Sequence, residues 1–537
     1  MCNPPGLGSE YAITMKKGGS GNYIIAILFP IVCLFSSFSF FRNVNEWQIQ
    51  GKWIGFVISF FIAAMLLFII RFSNPCRNWS YGLTARICAI SAISTNIAVA
   101  VICILQMADI IPAVSPFPAT SDFDNPAGVA ALMCATFPFS TVTDEGRMNT
   151  NVFRVFAVFA LDIFVMCLLQ SRAGMLGLSA GMLVFLFLWH GNVRLKTALL
   201  LLCTATVLIM TIFLFRHKGG STSGRLLILD VCWQMIKDKP LLGHGVNGFA
   251  REYMLYQANY LKTVNSSGLL MLTDNITHPL NEFVLLTVNY GIIGLTALLA
   301  FSVTAVRLLI KQFGQYRPFF LMTVCSIGML SLFSYPFRYP MTAVSLLMCI
   351  VLPISQAGIR IPATLPFILM VITVIPFMSW YRSQTAWKQI TEQLSKDSND
   401  KCISMDLIKT ADTALRHNAR YRYSRAVAEF YSENYNESLN DALFSREHIA
   451  AYDTELLIGE IYRKLGNNDS AVAHLIMASE MCPSRITPLY TMFKIYESDN
   501  DTVNMNRTGR ELLSHPVKIQ SSKTRAMRFD VRKHIVP

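Results

Sequence analysis

Charged side chains are scarce in this 537-residue chain: Asp, Glu, Lys and Arg make up 15% of it, against 53% hydrophobic residues, with a mean hydropathy of +0.42. Soluble domains carry about 25% charged residues, so a water-soluble globular protein is excluded and a polytopic membrane protein is predicted. Metal-binding patterns are lacking too. No Cys-x-x-Cys pair and no His/Cys ligand spacing occurs, and the Asp and Glu residues form no convincing metal cluster, so chemistry without metal or other cofactor is expected. Nor do the 13 cysteines form a disulfide framework. Cys33, Cys88, Cys103, Cys134, Cys167, Cys203, Cys325 and Cys349 lie inside apolar segments, where a thiol packs as a small hydrophobe. The polar C-terminal region holds only Cys402 and Cys482, which leaves room for one disulfide. A small-residue cleavage site is missing near the outer end of the first apolar segment, which is therefore read as an uncleaved helix.

What is abundant is apolar sequence in runs of about 17 to 25 residues, long enough to cross a hydrocarbon core as helices. Eleven are predicted: 22–41, 54–70, 87–107, 127–141, 152–170, 173–189, 197–215, 284–306, 318–335, 340–357 and 362–381. The expected fold class is all-α, a polytopic transmembrane helical bundle followed by a soluble α-helical domain. The expected layout is a cytoplasmic N-terminus (1–21), transmembrane helices 1–7 (22–215), a large periplasmic loop (216–283), helices 8–11 (284–381) and a periplasmic helical domain (382–537).

Orientation follows from Lys and Arg in the short connections, because these residues are held on the cytoplasmic side. With the N-terminus inside, the inner set contains Lys16, Lys17, Arg71, Arg77, Arg86, Arg147, Arg154, Arg194, Lys196, Arg307, Lys311, Arg317 and Arg360. The short outer connections hold only Arg42, Lys52, Arg172 and Arg338, and the stretch from Ala108 to Pro126 has Asp109, Asp122 and Asp124 with no Lys or Arg. The large loop then faces outward, as does everything after Tyr381 if the helix count is odd. The formal charge of +13 is thereby explained by topology and by attraction to anionic membrane lipid, without nucleic acid.

After Trp380 the chain becomes polar and helix-prone. Ile458, Gly459 and Tyr462 are followed by Ala471, Leu475, Ala478 and Pro483, offsets that match the tetratricopeptide pattern, in which small residues let two helices of a hairpin approach closely. Asn434 to Ser438 with Ala442, and Leu489 to Tyr496, resemble degenerate neighbouring units; a generic helical bundle is the plainer reading. Lys523, Arg525, Arg528, Arg532 and Lys533 make a basic end, either solvated or in contact with lipid or glycan.

The chemistry is expected in the polar stretch between Phe215 and Phe283, which contains Gly224-Arg225, Pro240-Leu241-Leu242-Gly243-His244-Gly245 and His278-Pro279-Leu280-Asn281-Glu282. Catalytic groups of a helical membrane protein collect where segments end and water or head groups are reachable. Attack of a hydroxyl on a sugar joined to a pyrophosphate needs fixed positive charge for the leaving diphosphate, which Arg supplies with its forked donors. It also needs a group that accepts the hydroxyl proton, for which His is the usual choice.

These motifs, with Asn289-Tyr290-Gly291-Ile292-Ile293-Gly294 after Asn281-Glu282, and with Phe123-Asp124-Asn125-Pro126-Ala127-Gly128 and Gln170-Ser171-Arg172-Ala173-Gly174 upstream, resemble the O-antigen ligase and O-antigen polymerase family. The resemblance covers about residues 120 to 340 and rests on the combination in order. It implies a multi-pass glycosyltransferase of the bacterial inner membrane that takes an undecaprenyl-diphosphate-linked glycan as donor on the periplasmic side. The acceptor it implies is lipid A core, the growing glycan, or a protein Ser or Thr.

Carried over residue by residue, the resemblance gives Arg172 and Arg225 as diphosphate-binding candidates. The plainer readings are an interfacial Arg snorkelling from a helix end for Arg172 and a loop ion pair with Asp230 or Asp238 for Arg225. The family His position holds Leu280 here; His278, two residues earlier, is the candidate base or an N-cap ahead of a proline-started helix, with Glu282 as the stand-in base. Arg338, between Pro336 and Pro340, is a third phosphate contact or an interface anchor. Asn125, Gly243, Gly245, Asn281, Gly291 and Gly294 are motif residues with structural roles, and His244 is expected to cap a turn. Asp162 falls in mid-membrane, functional by default or held by a buried partner.

Two other classes stay open. A transporter or lipid-linked-sugar flippase should line a mid-membrane path with polar residues, often between repeated halves; no repeated halves occur. A non-catalytic membrane scaffold would display the repeats, whose concave surfaces usually bind a protein partner.

Overall fold

The computed structural model describes residues 21–73, 81–142, 152–189, 193–194, 196–199, 201, 204, 219–263, 267–356, 364–396 and 403–535. The expected N-terminal tail, most of the seventh expected span at 197–215, and Cys402 lie outside the described residues. Helices account for the regular structure, and no strand occurs among the described residues, so the all-α class is observed. The chain divides into two compact units: residues 1–42, 46–211 and 302–375 form one, and 43–45, 212–301 and 376–537 the other.

The first unit begins with α1 (Gly21–Ser37), α2 (Trp47–Ser73), α3 (Tyr81–Met107), α4 (Pro126–Thr136), α5 (Val152–Leu168) and α6 (Arg172–Leu188). α4 is short and continues as a 3-10 turn over Phe137–Thr141, which accommodates Pro138 in its first turn. Its residues from Gly128 to Thr136 are all buried, as expected of a helix apolar on every side. A Cβ on Gly174 of α6 would lie 2.8 Å from that of Ala130; one on Gly177, 2.8 Å from Cys134 Sγ; one on Gly181, 3.3 Å from the Phe137 ring. Small residues on one face of α6 thus let it run parallel to α4 at close range, the usual device where lipid supplies no hydrophobic drive between helices. Asp162 is fully buried and accepts both hydrogen bonds of the Asn96 amide, at 3.1 and 3.3 Å, while Thr136 donates to the Asn96 oxygen. It has the buried partner that its cost demands.

The second unit opens with α7 (Gly219–Asp238) and α8 (Gly248–Thr263). α9 (Glu282–Gln312) follows, and then α10 (Arg317–Ser331) and α11 (Pro340–Gln356) of the first unit. α12 (Thr364–Ser395) runs on past Tyr381 without a break. Four described helices are long and apolar enough to cross a membrane by length and composition: Trp47–Ile69, Gly82–Met107, Glu282–Gln312 and Thr364–Ser395; other apolar helices have 10–17 residues. None of the apolar window is buried in α9 or in α12. Leu298, Phe301, Ile372 and Ile375 stand exposed, an apolar surface that suits lipid rather than water.

The C-terminal helices are α13 (Met405–Leu415), α14 (Ala419–Tyr431), α15 (Tyr435–His448), α16 (Tyr452–Lys464), α17 (Asn468–Met481), α18 (Thr487–Ser498), α19 (Thr502–Ser514) and α20 (Ser522–His534). α14/α15, α16/α17 and α18/α19 pack as successive helix pairs. A Cβ on Gly459 would meet Leu475 Cγ at 2.8 Å and the Ala471 carbonyl oxygen at 3.2 Å, which explains the small residue there. Residues 219–301 are not a loop apart from these helices. Leu227, Val231, Met235, Phe249 and Tyr253 share one core with Tyr452, Ala478 and Met481. Gln257 donates to the Met481 carbonyl at 2.8 Å, and Asp274 pairs with Arg485 at 2.9 Å and Lys518 at 3.3 Å. Cys482 is a free, buried thiol, its pKa pushed up to about 12 mainly by burial; the single disulfide considered from sequence involves Cys402 and so lies outside the described residues.

Candidate functional site

In the first unit, the Phe123 to Gly128 motif closes against the turn that follows α10. Asn125 caps α4, its Oδ1 accepting from the Ala127 N–H at 2.8 Å, the ordinary work of an Asn before a proline-started helix. Its amide nitrogen reaches Asp124 Oδ2 at 2.8 Å and the Tyr335 hydroxyl at 2.7 Å, and the Tyr339 hydroxyl donates to Asp124 Oδ1 at 2.6 Å. Burial first, and the Asp124 carboxylate next, push the Tyr339 phenol far above its ordinary value, so it stays a donor. Lys52 is fully buried, donating to the Ser37 carbonyl at 2.6 Å with its ammonium 3.9 Å from the centre of the Phe123 ring. Sequence reading treated Lys52 as a topology charge and did not single out Tyr335 or Tyr339. Their only signal was the Tyr-Pro-Phe-Arg-Tyr-Pro punctuation around Arg338.

Arg338 lies in a 3-10 turn (Pro336–Arg338). Its guanidinium is 3.6 Å from Glu46 and 5.8 Å from the centre of the Tyr335 ring, and its carbonyl accepts the Trp53 indole N–H at 2.9 Å. Of the two roles expected for Arg338, phosphate contact or interface anchor, these contacts account for the anchor without testing the other. Arg172 is the first residue of α6 behind the Ser171 N-cap, whose hydroxyl accepts from Gly174 N, and Gln170 before it takes a left-handed φ of 52°. A cation in the first turn gains nothing from the helix dipole, so helix stability does not explain Arg172. Because α4 and α6 run parallel, with Ala130 level with Gly174, Arg172 lies at the same end of this unit as Asn125.

In the second unit, two glycine motifs lock together. The turn from Pro240 to Asn247 joins α7 to α8, with φ of 67° at Gly243 and 84° at Gly245. His244 N and Gly245 N donate to the carbonyls of Val288 and Asn289 at 2.8 Å each, and Ile292 N donates to the Pro240 carbonyl at 2.9 Å. α9 breaks there: Gly291 has φ 65° and ψ −169°, a conformation reserved for glycine. The freed carbonyls of the break are the ones that receive the turn, so the kink has an identifiable cause. No room is left for a side chain, since a Cβ on Gly243 would lie 2.6 Å from Gly291 N and one on Gly291 2.0 Å from the Leu241 carbonyl oxygen. Gly294 packs against Tyr290 in the helix beyond the kink.

His244 does more than cap this turn. Its ring is buried, with Nε2 2.8 Å from the Met235 carbonyl oxygen and Nδ1 2.6 Å from Glu252 Oε2, and Arg251 adds bonds to Glu252 and to the His244 carbonyl. Burial opposes charge on Glu252, but hydrogen bonds from His244 and Arg251 together with the nearby positive charge hold its carboxyl below the usual range. His244 thus staples the end of α7 to α8. Sequence reading missed Glu252 as its partner because nothing in a lone Glu four residues into a helix signals it.

Ahead of α9, Asn281 is the N-cap, its Oδ1 accepting from Val284 N at 3.0 Å. Leu280, at the position where the family has His, takes φ 58° and packs into the shared core. Its N–H donates to His278 Nδ1 at 2.9 Å, so the neutral ring carries its proton on Nε2, which faces Glu282 Oε2 at 3.7 Å. Both side chains are about four-fifths buried, at 20% and 18% exposure. Gly224 and Arg225 fall on helix α7, not in a loop, and Arg225 is half-buried. The Asp238 carboxylate considered as its partner instead accepts the Tyr256 hydroxyl at 2.8 Å. No cluster of three or more His, Cys, Asp or Glu suited to a metal occurs among the described residues.

No curated protein matches the chain. Residues 157–299 match the family model described as O-antigen ligase; this interval contains Arg172, Arg225, the Gly243–Gly291 lock, His278 and Glu282, and stops short of Asn125 on one side and Arg338 on the other. The match, with the apolar helices, supports a membrane protein with an O-antigen ligase or polymerase-like, glycosyltransferase-like function.

Proposed function

We propose that the protein is an O-antigen ligase-type glycosyltransferase that moves a glycan from undecaprenyl diphosphate to a hydroxyl acceptor at the periplasmic face of the inner membrane, without metal. The observation that carries this reading is the His278–Glu282 arrangement on the lip of α9, held by the Asn281 cap and the Gly243–Gly291 lock, inside the matched interval. The lone pair on His278 Nδ1 is engaged by Leu280 N–H, so the proton-accepting group is Glu282, with His278 Nε2–H facing its carboxylate at 3.7 Å. The acceptor hydroxyl gives its proton to Glu282 as its oxygen attacks the anomeric carbon. The bond from that carbon to the diphosphate oxygen breaks with inversion, and the lipid diphosphate leaves with the electron pair. Arg172 and Arg225 are each assigned to the developing negative charge on the diphosphate.

A second reading, transfer to a protein hydroxyl, is favoured by one feature. We read the helix pairs α14–α19 as tetratricopeptide-like from their spacing of about 34 residues, and the middle pair, α16 and α17, shares a core with α7 and α8. A surface suited to peptides is therefore built onto the reaction segment. The deciding experiment incubates purified protein with undecaprenyl-diphosphate glycan and, in separate arms, lipid A core, free glycan and an unfolded secreted protein, with mass spectrometry of the products. Transfer in one arm fixes the acceptor. Absence of transfer in all three, with donor shown to be bound, overturns the enzymatic reading in favour of transport or scaffolding.

A further inference from the structure

A cleft on the first unit, distant from the motifs above, has the chemistry of a lipid site. Its volume is about 400 Å³, and among the described residues it is lined by Leu183, Val184, Phe187 and Leu188 of α6 and by Arg317, Leu321 and Cys325 of α10. Every lining side chain but one is apolar. The exception, Arg317, is exposed and makes no hydrogen bond or ion pair among the described residues. It is the first residue of α10, where the helix dipole does not favour a cation, so neither an ion pair nor helix stability accounts for it.

A second cation contacts Phe187, one of the lining residues. Lys196 donates to the carbonyls of Phe187 and Trp189 at 2.8 and 3.2 Å, and its ammonium is 5.7 Å from the centre of the Phe187 ring, a ring 73% exposed. The cleft lies toward the C-terminal end of α6, roughly 20 Å along the helix from Arg172 at a rise of about 1.5 Å per residue. A lone apolar cleft between helices accepts any acyl chain. One with an Arg in its lining, and a Lys held against the exposed ring of another lining residue, selects an amphiphile with an anionic head group at the membrane interface.

We infer that this cleft binds one anionic phospholipid, its phosphate at Arg317 and Lys196 and an acyl chain along Leu183, Phe187 and Leu321. Free phosphate or glycerol phosphate lacks the chain and does not occupy the site. The test is native mass spectrometry of the full-length protein released from bilayers holding equal amounts of phosphatidylglycerol and phosphatidylcholine with the same chains. The wild type is expected to retain one phosphatidylglycerol, enriched roughly fivefold or more over phosphatidylcholine, as about one basic contact provides. Arg317→Ala abolishes the enrichment, Arg317→Lys keeps most of it, and Leu321→Trp, which fills the cleft, removes bound lipid of both kinds. Arg317 is exposed, so its variants fold even if Leu321→Trp does not. Equal retention of the two lipids by the wild type, unchanged enrichment in Arg317→Ala, or displacement of the phospholipid by undecaprenyl diphosphate overturns the proposal.

Discussion

At the scale of single residues, the assignment of the base rests on one backbone hydrogen bond. Leu280 N–H occupies His278 Nδ1, which is why the proposed mechanism gives the substrate proton to Glu282. Glu282→Gln is expected to lower turnover by about 10² to 10⁴, and His278→Ala by a smaller factor, measured as kcat for glycan transfer. The reverse order would return the base role to His278. Arg172→Ala and Arg225→Ala are each expected to cost about 10² to 10³ in kcat/KM, the scale for loss of one charge-stabilising group, with Lys restoring part of it. Arg338→Ala is expected to leave kcat nearly unchanged, since its guanidinium is paired with Glu46 and Tyr335. One ionisable residue sets an acid limit on stability. Burial works against charge on Glu455, but His474 and Arg446, both bonded to it at 2.6 Å, hold its carboxyl below the ordinary range. A folded value below the unfolded one stabilises the protein above pH ~4.3 and stops doing so as pH falls through the folded value. The melting temperature should therefore drop on acidification below that pH, and Glu455→Gln should show a shallower drop from a lower starting point.

At the scale of elements, the kink in α9 separates two kinds of glycine. Gly291 has both a left-handed φ and a backbone neighbour where a Cβ would go, so Gly291→Ala is expected to destabilise by at least about 3 kcal/mol, from strain and displacement of the turn. Gly224 is in a helix with nothing within 4 Å of an added Cβ, so Gly224→Ala should be neutral or stabilise by up to about 1 kcal/mol. Thermal unfolding of the two variants checks the contrast. Loss of transfer in a stably folded Gly224→Ala would then mean that substrate needs the open space beside Arg225. The glycine motifs were legible as turns from their spacing, but their mutual lock was not. Gly243 and Gly291 are far apart in sequence, and only the ladder of bonds from His244 N, Gly245 N and Ile292 N brings them together.

At the scale of the whole molecule, the polar segment and the C-terminal helices fold as one body with a common core. Ala478→Asp would place an unpaired charge among Val231, Phe249 and Met481 and is expected to destabilise by about 3 kcal/mol or more. Hydrogen exchange should then show α7, α8 and α17 losing protection together. Loss confined to α17 would mean that the two regions are separate domains, as the sequence suggested by placing a boundary at 382. That boundary looked natural because composition changes after Trp380, yet α12 continues to Ser395. Its later turns bury Trp387 and Ile390 against α13 and α14.

By itself, the sequence determined the class of the molecule. Apolar runs of span length, sparse charge and a polar interruption carrying Arg, His and Gly are local properties, and local properties survive in any fold that buries them. The same local patterns, read with the family resemblance, named Arg225, His278 and Glu282 in the interruption and Arg172 upstream of it as candidates. Only the tertiary structure decided the rest: that Tyr335 and Tyr339 bond the Asp124–Asn125 pair, that Lys52 is buried over Phe123, that His244 is paired with Glu252, and that Leu280 N–H takes His278 Nδ1. Those are decisions about which partners a buried polar group finds, and a buried polar group must take whatever partner the packing of distant segments brings within reach.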